Sequence, residues 1–228
     1  MITCNLSIPV GDTESVSGIL SVPDNFNRHK TIGVLFAHGA ANDMYNPLIR
    51  FVAQGMHQAG YLTLRFNFLY KEKGKKSPDP QAKLVQTWRS VYYFLSNHPK
   101  FSPQTIVACG KSMGGRVASQ MVAEGQLPVS RLIFLGYPLH APGKKDRLRD
   151  AHLYQIQMPM LFFAGTRDSL CDLDLLKTVL DRLTAPWDLE VIEGGDHSFR
   201  VPKTHPISQD DTHAQILEAA KSWLGDHP

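Results

Sequence analysis

Val107-Ala108-Cys109-Gly110-Lys111-Ser112-Met113-Gly114-Gly115-Arg116 is the stretch on which the reading of the whole chain turns. An apolar, strand-like segment, Gln104–Cys109, runs into Gly110-x-Ser112-x-Gly114 and then directly into a helical pattern, Met113–Glu124, closed by Gly125. A serine between two glycines at a strand-to-helix junction sits on a very tight turn. Flanking side chains would collide with the neighbouring strand or helix, and the hydroxyl is pushed out at the top of the sheet. Two other readings compete. Gly110-Lys111-Ser112 looks like the end of a phosphate-binding loop, but that loop requires a glycine where Thr105 stands. A tight turn with no chemistry is the other, and this segment alone leaves it open.

An activated serine needs a base within hydrogen-bond reach and an acid to orient that base. Downstream, the apolar run Met160–Ala164 ends in Gly165-Thr166-Arg167-Asp168, and the run Leu189–Ile192 ends in Glu193-Gly194-Gly195-Asp196-His197. Both residues fall in loops at the carboxyl ends of strands, where sites on open α/β sheets assemble. Taken singly, Asp168 reads as a helix cap and His197 as a surface residue. Taken together, in the order serine, acid, histidine, they predict a Ser112–Asp168–His197 triad. Asp172 and Asp196 are competing acids, and Asp196 is badly placed because it adjoins the base. The oxyanion donors are predicted to be the backbone N–H groups of Met113 and of Ala40, in the loop His38-Gly39-Ala40-Ala41. His38 is read as a residue that shapes this loop by hydrogen bonding.

Working outward, Ile2–Ile8 and Val16–Val22 read as a hairpin, and Thr31–Ala37 as a strand buried on both faces. Pro47–Ala59 has helical spacing with Gly60 at its end, and Tyr61–Phe66 is the next strand. Tyr70–Gln81, with five Lys or Glu, a glycine and two prolines, reads as a loop. Ala82–Asn97, Leu173–Leu183 and Ala214–Leu224 read as helices, and Arg131–Leu135 as a further strand. This alternation predicts an α/β chain: a mostly parallel sheet with helices on both faces and an antiparallel N-terminal hairpin. No repeat or linker divides it, so residues 1–228 are expected to form a single domain.

The composition agrees with that class. The 228 residues are 43% hydrophobic and 20% charged, which describes a globular chain. Three cysteines, Cys4, Cys109 and Cys171, with no CxxC spacing argue against a disulfide scaffold or a metal site. A net charge of +3 is too balanced to imply nucleic acid. Met1–Pro9 lacks the pattern of a secretory signal, and no apolar run approaches the roughly 20 residues of a membrane span. A cytoplasmic protein without a membrane or nucleic-acid partner is expected, and no oligomeric state follows.

The chain resembles the α/β-hydrolase superfamily along nearly its whole length. The resemblance is carried by Phe36-Ala-His-Gly-Ala-Ala, Arg65-Phe-Asn-Phe, Gly110-Lys-Ser-Met-Gly-Gly-Arg, Gly136-Tyr-Pro-Leu-His, Gly165-Thr-Arg-Asp and Gly194-Gly-Asp-His. It is similar to a small dienelactone-hydrolase-like subfamily that includes testis-expressed protein 30 and subunit 3 of the NSL histone-acetyltransferase complex. The resemblance implies the α/β-hydrolase fold and the roles of Ser112, Asp168 and His197, but no substrate. Dienelactone hydrolases proper use cysteine where Ser112 stands, so their substrate is not carried over.

Between Leu135 and Met158 only about two dozen residues are left, too few for a large lid. A minimal flap favours a small, soluble acyl substrate over an oil interface. Two basic loops, with Lys71, Lys73, Lys75 and Lys76 in one and Lys144, Lys145, Arg147 and Arg149 in the other, are read either as solvated loops or as a rim that steers an anionic substrate. Arg65 and Asn67 either line the pocket or tie down the Tyr70–Gln81 loop. The expected activity is serine hydrolysis of an ester, thioester or amide, with no cofactor and no metal. The alternative is a non-catalytic interaction module on the same scaffold.

Overall fold

The computed structural model describes residues 2–226. The opening hairpin pairs β1 (Ile2–Val10) with β2 (Glu14–Val22) along its full length, Ile2 opposite Val22 and Val10 opposite Glu14. β2 then runs antiparallel to β4 (Leu62–Phe66). Beside β4, the strands β3 (Ile32–Ala37), β5 (Thr105–Lys111), β6 (Arg131–Leu135), β7 (Met160–Gly165) and β8 (Trp187–Ile192) are all parallel. The sheet order is β1-β2-β4-β3-β5-β6-β7-β8. From β3 the chain moves outward to β4 and then crosses back to β5. The strand order therefore reverses between β3 and β5, and a crevice opens at their carboxyl ends.

The continuous apolarity of the central strands has its cause in burial on both faces. Leu35, Ala108, Phe134 and Phe162 pack on one side with α3 (Gln81–Ser96), α4 (Met113–Ala123) and α5 (Leu173–Leu180). Their neighbours in sequence, Phe36, Val107, Ile133 and Phe163, pack on the other side with α1 (Pro47–Gln58) and α6 (Gln209–Asp226). Trp88 is fully buried and its indole N–H donates to the Gly114 carbonyl at 3.1 Å, tying α3 to the first turn of α4.

Two segments differ from the sequence reading. Within the expected Tyr70–Gln81 loop, Leu69–Glu72 forms a helical turn, α2. Tyr70 is buried against the rings of His38 and Phe68, and this packing overrides the local loop composition. Helix α6 starts five residues earlier than the apolar pattern suggests. Its first turn carries Asp210 and Asp211, whose charges suit a helix N-terminus, and the Ser208 hydroxyl accepts from the Asp211 N–H at 3.1 Å.

The β6–β7 connection contains only a 3₁₀ turn at Leu153–Gln155 and folds back on itself. The Tyr137 hydroxyl donates to the Arg149 carbonyl at 2.5 Å, and the Arg149 N–H donates to the Leu139 carbonyl at 2.8 Å. No lid domain grows from it. Among the described residues no helix is long and apolar enough to cross a membrane.

The β5–α4 junction has the least room. A Cβ on Gly110 would lie 2.1 Å from the Gly115 nitrogen, a backbone atom that no rotamer change can move. Gly125, by contrast, has a positive φ of 68°, but a Cβ there meets nothing within 4 Å. Gly110→Ala is therefore expected to lose about 3 kcal/mol or more of stability, and Gly125→Ala only about 1–2 kcal/mol. Urea denaturation of both variants checks this, and equal losses would refute the steric account.

Candidate active site

Ser112 follows β5 directly and precedes the first residue of α4. Its backbone is at φ 51°, ψ −116°, a conformation that non-glycine residues rarely adopt and that is held here by the crossing of Gly110 and Gly115. The Ser112 N–H donates to the Leu135 carbonyl at 3.3 Å, and its own carbonyl accepts from Arg116 at 3.0 Å. With the main chain fixed in this way, the hydroxyl projects into the crevice.

His197 Nε2 lies 2.8 Å from Ser112 Oγ, and His197 Nδ1 lies 2.8 Å from Asp168 Oδ2. The carboxylate can only accept, so Nδ1 carries the proton and Nε2 is left to accept from the serine hydroxyl. The Asp168 side chain is fully shielded from solvent, whereas His197 remains 20% exposed. The other Asp168 oxygen accepts from the Leu170 N–H at 2.7 Å. The two competing acids serve elsewhere. Asp172 caps α5 through Asp174 and Leu175, and Asp196 accepts from Ser198 and Arg200 to shape the turn that carries His197.

Met113 and Ala40 line the same cavity as Ser112. Met113 is the first residue of α4, so its N–H has no intrahelical acceptor and lies at the positive end of the helix dipole. The loop that carries Ala40 is held from beneath. His38 is fully buried; its Nδ1 donates to the Gly39 carbonyl at 2.8 Å while Nε2 accepts from the Phe68 N–H at 3.1 Å. Burial pushes this imidazole down to about 4, so it stays neutral in that tautomer. The Tyr70 hydroxyl donates to the Ala40 carbonyl at 2.8 Å.

Arg65 and Asn67 also act on this loop. Arg65 Nη1 donates to the Met44 carbonyl at 3.1 Å, and Asn67 Oδ1 accepts from the Met44 N–H at 2.9 Å. Neither lines the cavity, and neither holds the segment after Tyr70, so both expectations for this pair are corrected. Sequence reasoning also missed Tyr70 as a support for the loop. Its one available signal was an aromatic residue inside an otherwise charged stretch.

The cavity beside Ser112 has a volume of about 410 Å³. Its apolar wall includes Leu84, Pro138 and Leu170, and its charged groups are Arg116, Arg149 and Asp79. None of Lys71, Lys73, Lys144 or Lys145 lines it. Lys73 is paired with Glu14 on the hairpin, and Lys145 is 2.5 Å from Asp172. Lys73 and Lys145 are thus held by opposite charges nearer to them, and the cavity's cations are Arg149, from the second basic loop, and Arg116. The Arg116 guanidinium is held at 3.3 Å by the Gln120 side-chain oxygen, and that of Arg149 at 3.2 Å by the Pro138 carbonyl. Among the described residues no group of three or more His, Cys, Asp or Glu is placed to hold a metal ion.

The whole arrangement is similar to known proteins. Two Mycobacterium tuberculosis proteins that carry the name of a phosphoribosyl transferase are 26% identical over 215 residues. The match covers 93% of this chain and 44% of theirs, so the chain spans less than half the length of the curated relatives it matches. A dienelactone hydrolase of Anabaena variabilis superposes with a TM-score of 0.76 at 22% identity, covering 99% of this chain and 97% of that one. Esterase 2 of Thermogutta terrifontis, in a form phosphoramylated by tabun, superposes with a TM-score of 0.76 at 16% identity, covering 98% and 94%. Residues 30–225 match the family described as the alpha/beta hydrolase domain, and the chain belongs to that family.

Proposed function

We propose that the protein is a serine hydrolase that cleaves a small acyl ester, thioester or amide through an acyl-enzyme on Ser112. The observation that carries this reading is the unbroken hydrogen-bonded chain from Asp168 through His197 to Ser112 at the mouth of a cavity. His197 Nε2 takes the hydroxyl proton as Ser112 Oγ attacks the carbonyl carbon. Asp168 holds the tautomer and stabilises the imidazolium that forms. The N–H groups of Met113 and Ala40 stabilise the oxyanion, which collapses as the leaving group takes the proton from His197. Water, deprotonated by the same imidazole, then releases the acyl group and restores the serine.

The short β6–β7 connection leaves the cavity open, which suits small substrates reached from water. Its charge favours an acid group on the substrate: two guanidiniums and one carboxylate, Asp79, leave a positive surplus.

Two measurements test this reading. Wild-type protein is expected to label with a fluorophosphonate and to hydrolyse p-nitrophenyl acetate. Ser112→Ala should abolish labelling and lower kcat/KM by at least about 10³-fold, and Asp168→Asn should lower kcat by about 10⁴-fold. A wild-type protein that neither labels nor hydrolyses would sink the hydrolase reading and favour an interaction module. The second measurement compares the p-nitrophenyl monoester of adipic acid with its methyl ester. Arg116→Ala or Arg149→Ala should lower kcat/KM for the acid about tenfold, mainly through KM, and leave the methyl ester within about twofold. Equal losses on both substrates would remove the assignment of these arginines to an acidic substrate group.

A further inference from the structure

Lys111, the residue between Gly110 and the serine, is a charged side chain with no part in the reaction just described. It is 2% exposed. On β5 it shares a face with Val107 and Cys109, so it leaves the sheet on the side of α1 and α6, away from α4. There its Nζ donates to the main-chain carbonyl of His197 and lies 5.5 Å from the centroid of the buried Phe199 ring. Room for this contact depends on Gly136, at the end of β6. A Cβ at that position would stand 3.1 Å from the His197 carbonyl oxygen and 3.3 Å from the lysine nitrogen.

Packing alone does not explain a charge here, since an apolar side chain of similar volume would fill the space without desolvation. Burial depresses the ammonium to about 8, and the nearby carboxylates of Asp168 and Asp196 favour its charged form. Its acceptor, however, is a neutral carbonyl on the residue whose imidazole faces Ser112.

The sheet order shows what such a contact supplies. β6 and β7 lie between β5 and β8, so no ladder hydrogen bond links the strand that presents Ser112 to the strand that presents His197. At the usual strand spacing the two are about 14 Å apart. Among the described residues the other hydrogen bond between these two segments, from Ser112 Oγ to His197 Nε2, must be given up whenever the serine is acylated.

We propose that Lys111 is a positioning residue for His197, a brace from the strand of the nucleophile to the main chain of the base. The proposal rests on the serine-hydrolase reading above. The brace keeps the imidazole at the level of the serine when their mutual hydrogen bond is absent.

The test compares wild type with Lys111→Met and Lys111→Arg, using p-nitrophenyl acetate, fluorophosphonate labelling and thermal melts. Lys111→Met is expected to lower kcat by about tenfold to a hundredfold with KM nearly unchanged. The acid limb of its kcat/KM profile should move up, because one positive charge near the base is gone. Lys111→Arg, which keeps donor and charge, should recover part of the lost kcat and return the acid limb towards its wild-type position. A Met variant with kcat within about twofold of wild type and an unmoved acid limb would overturn the proposal. So would loss of the folded state in both variants, which would make the ammonium a stability element. Failure of wild-type labelling would instead strike the hydrolase reading itself.

Discussion

The turn from β5 into α4 closes only because Gly110 and Gly115 bring backbone against backbone with no side chain between them. That contact fixes the path of the chain so tightly that Ser112 is held at a positive φ. Several properties of the site follow from it. The serine hydroxyl points out of the sheet, and α4 begins at the next residue, so the N–H of Met113 faces the same space. The strain at Ser112 is local, and the packing of α4 and the sheet around it holds the conformation in place. A small adjustment at this crossing would move Ser112 and the Met113 N–H together.

The rest of the site is built by side chains that reach across gaps the sheet leaves open. The loop after β3 carries no regular structure where it passes the serine. It is held by His38, Tyr70, Arg65 and Asn67, all from buried or half-buried positions near the ends of β3 and β4. His38 can accept from Phe68 only while it is neutral, and its burial ensures that state. The loop after β8 is shaped by Asp196 and joined to β7 by Asp168 and to β5 by Lys111. Polar groups buried in this number are costly unless each finds a partner, and these do. The result is a frame of hydrogen-bonded loops around an open cavity, with no lid domain above it.

Much of this was legible in the amino-acid sequence for a physical reason. Strands buried on both faces have to be continuously apolar, and helices that cover them have to carry an apolar stripe, so the alternation in the chain reports the architecture directly. The serine between glycines, the aspartate after β7 and the histidine after β8 were legible because a strand's end fixes where the next residue goes. The helical turn at Leu69–Glu72 was not, since its stability comes from Tyr70 packing on His38, a residue far away in the sequence. The early start of α6 had its signal in Ser208 and the two following aspartates, which an apolar pattern alone does not weigh.

Charge was where sequence and structure parted. Two loops rich in lysine and arginine suggested a positive rim, yet Lys73 and Lys145 are satisfied by Glu14 and Asp172. Of the residues of those two basic loops only Arg149, on the β6–β7 connection, lines the cavity, and its second cation is Arg116, one helical turn beyond the serine. Covalent order and apolar periodicity determined the strands, the helices and the candidate triad, because those depend on neighbours along the chain. Which lysines are neutralised, which arginines face the crevice and which carbonyl Lys111 grasps depend on distances between loops far apart in sequence. Electrostatic and hydrogen-bonding partners are chosen by proximity in space, and only the tertiary structure sets that.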